Sequence, residues 1–130
     1  MKDGKDNIIA KKSYGFALEI INIYKYLVSE KKEYVLSKQL LRSGTAIGAN
    51  INEAISGESK KDFIHKLGIA VKEARETNYW LSLLKDSSYI NEEEFCRLSN
   101  NCNELIRILN SIILTIKEKY LKQLAPIHNS

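Results

Sequence analysis

The sequence contains few of the residues that interrupt helices or build compact reactive sites. There is one proline, with six glycines, two cysteines and two histidines, among 130 residues. So few helix breakers in a chain rich in Leu, Ile, Lys and Glu predict long helices. Apolar residues make up 44% of the chain and charged residues 28%, which is typical of a globular domain. The length predicts a single domain.

The scarcity of histidine excludes several kinds of catalytic and metal site. Paired iron or manganese ions in helical bundles need Glu-x-x-His motifs, and no Glu precedes a His by three residues here. No glycine-rich phosphate loop, zinc-ligand spacing or Ser-His-Asp set is present either. The sequence therefore predicts a protein that is not an enzyme and uses no cofactor or metal.

The cysteines and the lengths of the apolar runs indicate the cellular compartment in which we expect the protein. Cys96 and Cys102 are six residues apart on one predicted helix, so their side chains point about 120° apart and cannot bridge within it. Two reduced thiols fit a cytoplasmic protein. The N-terminus lacks the apolar segment of a signal peptide, and no run reaches the roughly 20 apolar residues of a membrane span. We expect a soluble cytoplasmic protein with no membrane partner.

Apolar spacing divides the chain into an arm, a bundle and a tail. Residues 1–12 are polar and predict a flexible basic arm, residues 13–123 predict a four-helix bundle, and residues 124–130 predict a tail. The predicted helices cover residues 13–30, 34–56, 59–87 and 91–123. In the last two, apolar residues alternate at intervals of 4 and 3, which predicts helix-to-helix packing. Short connections make neighbours antiparallel, so the predicted fold is an all-α, up-down-up-down four-helix bundle.

Capping residues predict three helix starts, and two glycines predict a close contact between helices. Ser13 is a predicted N-cap, and Ser59 with Asp62 and Asn91 with Glu94 resemble capping boxes. The helix-interior glycines at 44 and 48 predict close approach of two helices, within the bundle or between subunits; a hinge or ligand gap is the alternative.

Polar residues beside the predicted seams form a candidate structural network. Its members are Arg42, Asn50, Glu53, Glu73 and Glu76. An ion pair of Arg42 with Glu73 or Glu76, and a hydrogen bond from Asn50 across helices, would fix the register of the second and third helices. Buried pairs of this kind mimic active sites, so a catalytic role is the alternative reading.

Two further sets of residues predict partners. Apolar residues outside the central stripes predict self-association, with a wider monomer core as the alternative; they are Ile69, Tyr79, Trp80, Ile106, Ile113 and Tyr120. The net charge of +4 is compatible with an acidic partner. Candidate nucleic-acid contacts are Lys11, Lys12, Lys60, Lys61, Lys66 and Lys72. No base-reading motif is present, so we expect any binding to RNA or DNA to be non-specific and salt-sensitive, and an ordinary solvated face is the alternative.

One set of residues resembles a known family. It consists of Gln39, Arg42-Ser43, Ile47, Asn50-Ile51, Glu53, Ser59, Asp62-Phe63, Leu67 and Ile69-Ala70. Together these resemble the four-helix bundle proteins encoded in intervening sequences of 23S ribosomal RNA genes, over about residues 13–120. The sequence departs from the family pattern at Ala54, where Gly is frequent, and in residues 55–58, where a Gly-Arg pair is common.

The resemblance implies a left-handed up-down bundle, a homopentamer and no known enzymatic activity. A related branch is the accessory protein of diversity-generating retroelements, where a basic pentamer partners a reverse transcriptase and nucleic acid. Two hypotheses follow: an oligomer that associates with RNA or DNA, or an oligomeric scaffold that binds another protein.

Overall fold

Four α-helices make up the computed structural model, which describes residues 4–128. They are α1 (Gly4–Ser29), α2 (Leu36–Ile55), α3 (Lys60–Asp86) and α4 (Glu92–His128). Each helix packs against two neighbours in the order α1, α2, α3, α4 and back to α1, so α1 lies diagonally opposite α3. The predicted all-α four-helix bundle is confirmed.

The core is built from the heptad positions of α3 and α4 together with one face each of α1 and α2. All seven predicted core positions of α3 are buried, from Phe63 to Leu84. In α4 the central positions of the stripe are buried, whereas Phe95 and Ile116 at its two ends are half-buried and pack against the core. The alternation of 4 and 3 therefore places one face of each helix in the common core.

Helix α1 begins at Gly4, so the predicted flexible arm over residues 1–12 is corrected. Ile9 is 1% exposed, and with Ser13, Phe16 and Ile20 it forms one buried face at helical spacing. Ser13 is accordingly inside the helix, and its hydroxyl donates to the Ala10 carbonyl at 3.1 Å rather than capping a first turn. The first three residues of the predicted arm lie outside the described residues.

The other end of the bundle also differs from the predicted tail over residues 124–130, because α4 continues to His128. A proline near a helix end removes one terminal hydrogen bond and need not stop the turns before it. With 37 residues, α4 is about 55 Å long. Since Lys12 lies level with Glu104, α4 extends well beyond the start of α1. Residues 129–130 lie outside the described residues.

The connection between α1 and α2 contains neither glycine nor proline. Lys32 takes the left-handed conformation, with φ of 53°, and the Glu33 N–H donates to the Leu27 carbonyl at 3.0 Å to close α1. The Glu33 carboxylate then accepts from the backbone N–H groups of Val35, Leu36 and Ser37 at 2.7–3.1 Å. This carboxylate caps α2 in place of an N-cap hydroxyl.

The environment of Glu33 shifts its pKa. The residue is 8% exposed, and burial alone would raise the pKa of its carboxyl, but the backbone N–H groups of Leu36, Ser37 and Val35 outweigh burial and hold the pKa below the usual 4.5. A carboxyl whose pKa is lower in the folded state stabilises the fold above its unfolded pKa, and that contribution is lost as pH falls through the folded pKa.

Glu33→Gln should lower the free energy of unfolding by about 1–3 kcal/mol at neutral pH, because three amides lose a charged acceptor. The difference from the parent should shrink as pH falls below about 4.5, where the parent's own carboxyl takes up a proton. Urea unfolding of both proteins across this pH range measures it, with the exposed neighbour Glu30→Gln as control. A difference that persists unchanged in acid contradicts the capping role.

Close approach of α1 to α2 explains Gly44 of α2. A Cβ on Gly44 would lie 2.8 Å from Ile20 Cγ1 and 3.2 Å from Ile20 Cβ, so α1 occupies the space that a side chain would need. A Cβ on Gly48 would lie 3.4 Å from Ser13 Oγ, which is ordinary van der Waals contact. Gly68 on α3 is different, because nothing lies within 4 Å of the position of its Cβ.

Substitution by alanine should have opposite effects on the free energy of unfolding at Gly68 and at Gly44. Gly68→Ala should raise the free energy of unfolding by about 0.5–1 kcal/mol, since alanine favours the helix. Gly44→Ala gains the same preference but forces the stiff Ile20 side chain aside, at a cost of about 1–3 kcal/mol, so it should leave the protein less stable. Thermal and urea unfolding of both variants measures the signs; equal effects would contradict the packing account.

Candidate functional site

The predicted polar network lies along the seam between α2 and α3. Arg42 Nη2 is 3.0 Å from Glu73 Oε1 and 2.5 Å from Glu76 Oε2, and Trp80 Nε1 donates to the same Glu76 oxygen at 2.9 Å. The hydrogen bonds from Trp80 and Arg42 lower the pKa of Glu76, and those to Glu73 and Glu76 raise the pKa of Arg42. Both carboxylates are therefore committed to joining the two helices.

Further along the same seam, Lys66 Nζ lies 3.2 Å from Glu53 Oε1. Asn50 does not make the predicted bond across helices. Its Nδ2 donates to the Ala46 carbonyl of its own helix at 2.9 Å, because that acceptor lies one turn back on the same face. Ion pairs at two levels thus join α2 to α3, and Asn50 lies outside this network.

Polar contacts that the sequence did not predict lie deeper in the bundle. The Thr77 and Ser43 hydroxyl oxygens are 2.9 Å apart between α3 and α2, and Asn78 Nδ2 donates to Asn103 Oδ1 at 2.8 Å between α3 and α4. Cys102 Sγ lies 3.2 Å from the Ala74 carbonyl oxygen, and burial raises its pKa to about 12. These contacts fix helix positions and present no reactive group to solvent.

The six predicted interface residues divide into two groups. Trp80, Ile106 and Ile113 are half-buried and pack against the core, and Ile69 is half-buried on α3. Only Tyr79 and Tyr120 are largely exposed, at 58% and 57%.

A larger apolar surface, which the sequence reasoning missed, lies on the outer face of α1. Ile8, Tyr14, Leu18 and Tyr26 are 41–67% exposed and share the side of α1 that faces away from the core. Reading Ile8 as part of a flexible arm hid the pattern. On α4, Leu114 and Leu121 are also exposed.

The predicted nucleic-acid residues are not gathered at one place. Lys12 lies 3.3 Å from Glu104, and Lys66 pairs with Glu53, so two of the six are engaged within the bundle. Lys11 and Lys12 are on α1, diagonally opposite the helix that carries the other four. Lys60 and Lys61 are exposed at the start of α3, and Lys72 is exposed near its middle.

One continuous set of basic groups does emerge, on the outer face of α3. This basic stripe consists of Lys61, His65, Lys72 and Arg75, at intervals of 4, 7 and 3 residues on the side opposite the buried heptad positions. Among the described residues none of the four makes an ion pair within 4 Å. Arg75 and His65 were not among the predicted contacts, although their helical spacing from Lys61 and Lys72 was available.

A cavity of about 450 Å³ adjoins the basic stripe between α3 and α4. This α3–α4 cavity is lined from α3 by Ile64, His65, Gly68, Ile69, Val71, Lys72 and Arg75, and from α4 by Asn110, Ile113 and Lys117. No carboxylate is among these residues. By contrast, Glu19 and Glu94 line a cavity of about 410 Å³ between α1 and α4 and both contact Arg97, which lies between them. The α3–α4 cavity thus combines open volume with several cations that make no ion pair within the described bundle.

Among the side chains that the structure describes, no three metal-binding groups come together as a metal site would require. No helix of the described residues is both long enough and apolar enough to cross a membrane. The described residues define a four-helix bundle with a basic outer face on α3.

Comparison with known proteins places the chain in a family. The family pattern described as 23S rRNA-intervening sequence protein matches residues 5–111, and the chain belongs to this family. A crystal structure of a protein of unknown function from the S23 ribosomal protein family of Bacteroides thetaiotaomicron is 54% identical, with a TM-score of 0.83. The match covers 84% of this chain and 97% of the other. No match is found among the curated proteins.

Proposed function

We propose that this protein is a non-catalytic, self-associating bundle that holds the backbone of RNA or DNA on the basic stripe of α3. The observation that carries the proposal is the stripe itself: neighbouring basic groups, none paired within the described bundle, on one exposed helix face. The family label and the Bacteroides neighbour assign no activity, so the proposal rests on this surface.

Backbone contact is the recognition mode that such a surface supports. Lysine and arginine on a helix face neutralise phosphates and release counterions, and this term does not depend on sequence. Lys117 of α4 adds a cation beside Lys72 and Arg75, because all three line the α3–α4 cavity. A single bundle has few such contacts and would bind weakly; several copies in one particle multiply them.

Self-association is supported by the outer face of α1. Four large apolar side chains are exposed along the outer side of this helix, and exposed apolar surface of this kind is found at interaction sites. This face is diagonally opposite the basic stripe, so copies that join through α1 would leave their stripes accessible. Assembly through α1 and binding through α3 are therefore compatible.

Nucleic-acid binding should depend on the stripe in a salt-dependent way. The parent should bind a structured RNA at about 50 mM salt, and Lys72→Glu with Arg75→Glu should weaken binding and reduce the slope of log K against log salt by about 0.7–0.9 for each lost contact. Fluorescence anisotropy over a salt series measures both. The control is Lys12→Glu, because Lys12 already contacts Glu104. Failure of the parent to bind at about 50 mM salt contradicts the proposal.

Light scattering tests the assembly. The parent should have a mass several times that of one chain, and Leu18→Glu should reduce it, because a charge would be buried in the apolar contact. Ala49→Glu, on the exposed side of α2, is the matched control and should leave the mass unchanged. A monomeric parent contradicts both self-association and the oligomeric scaffold, whereas nuclease-resistant capture of one defined protein by an oligomeric parent would favour the scaffold hypothesis.

A further inference from the structure

The α3–α4 cavity differs from a plain cationic surface because its floor is apolar. Ile64, Val71 and Ile113 line it beside the cations; Val71 is 8% exposed, and Ile113 packs against the core. Phosphates and sugars are polar and gain little from aliphatic side chains. A ligand that uses the whole cavity must therefore carry a flat or apolar group next to its negative charges.

Gly68 keeps this cavity open. It lies in the interior of α3, where glycine weakens a helix relative to alanine, and no atom lies within 4 Å of the position of its Cβ. Packing explains Gly44, which Ile20 approaches closely, but no contact within the described bundle requires a glycine at position 68. A longer side chain here would project into the volume that Lys72 and Arg75 border.

We infer that the α3–α4 cavity receives one unpaired nucleobase of the RNA or DNA strand whose backbone lies on the basic stripe. This inference rests on the proposed function and narrows it to strands with unpaired bases. Bases that leave a stack are held between apolar or aromatic side chains, or against arginine guanidinium planes. The aliphatic floor and Arg75 supply these surfaces.

The remaining lining residues match the rest of a nucleotide. Lys72 and Lys117 border the cavity from two different helices, so they can contact the phosphates on either side of the inserted base. Asn110 is exposed and its amide offers both a donor and an acceptor to a base edge. The volume of about 450 Å³ lies within the range of about 300–1,000 Å³ of small-ligand sites.

Single-stranded and duplex RNA distinguish base insertion from backbone contact alone. The parent and Gly68→Leu are compared by anisotropy with an oligouridylate of about 12 nucleotides and with an RNA duplex of equal length. Gly68→Leu should weaken single-strand binding at least about fivefold, the loss expected for one stacked base, and leave duplex binding unchanged. Leucine favours the helix and meets no atom at its Cβ, so the variant should unfold at or above the parent's temperature.

Two further variants serve as a control for the added leucine and as a second test of base insertion. Ala49→Leu adds the same side chain on the exposed side of α2 and should change neither affinity. Asn110→Ala should weaken single-strand binding without altering the salt dependence, because no charge is removed. The inference is overturned if Gly68→Leu binds the single strand as the parent does, or loses single-strand and duplex binding equally. If the parent binds neither probe, the proposed function itself fails.

Discussion

The bundle depends on the narrow approach of α1 to α2 at Gly44. Ile20 occupies the space where a side chain at position 44 would lie, and Ser13 lies against Gly48 one turn further along. Because α1 lies diagonally opposite α3, the position of α3 relative to α1 is set through α2 on one side and α4 on the other. A glycine that weakens α2 as an isolated helix thus lets α2 pack closely on α1.

The start of α2 sets which of its residues face α1 and which face α3. The Glu33 carboxylate fixes that start by accepting from three backbone N–H groups, and Lys32 makes the preceding turn in a left-handed conformation. From there the helix places Gly44 toward α1 and Arg42 toward Glu73 and Glu76 of α3. The buried Ser43 and Thr77 hydroxyls lie between these contacts and hold the same register.

The periodicity of apolar residues was sufficient to predict the fold, because it depends only on the local geometry of a helix. The stripes of α3 and α4, and the caps at Ser59 and Asn91, depend only on residues a few positions apart. Ser13 led to a wrong start for the first helix. A serine in the sequence looks the same whether it caps a helix or, as here, lies inside one. The turn at Lys32 and Glu33 carries no usual sequence signal, since a left-handed lysine and a capping glutamate replace the usual glycine and serine.

The candidate site was less predictable than the fold, because whether a charged side chain forms an ion pair depends on the residues of the neighbouring helix. Lys66 and Lys72 look alike in the sequence, yet Lys66 pairs with Glu53 and Lys72 makes no ion pair within the described bundle. Whether a lysine is paired follows from the register of α2 against α3, which no local pattern specifies. Arg75 and His65 belong to the stripe because their side of α3 lies opposite its buried positions and neither makes an ion pair within the described bundle.

The pairing that holds the bundle together also creates the basic surface. On α3, Glu73 and Glu76 point toward α2, where Arg42 binds both, and Asp62 lies in the first turn, where its N–H bonds to the capping Ser59. Between residues 61 and 75, the outer face of this helix therefore carries Lys61, His65, Lys72 and Arg75. The net charge of +4 does not reveal this separation, because Asp62, Glu73 and Glu76 lie on other sides of α3. Removing Arg42 would accordingly weaken the contact between α2 and α3 and leave the Glu73 and Glu76 carboxylates unpaired near the basic stripe. The Arg42 guanidinium therefore affects both the stability of the bundle and the net charge beside the outer face of α3.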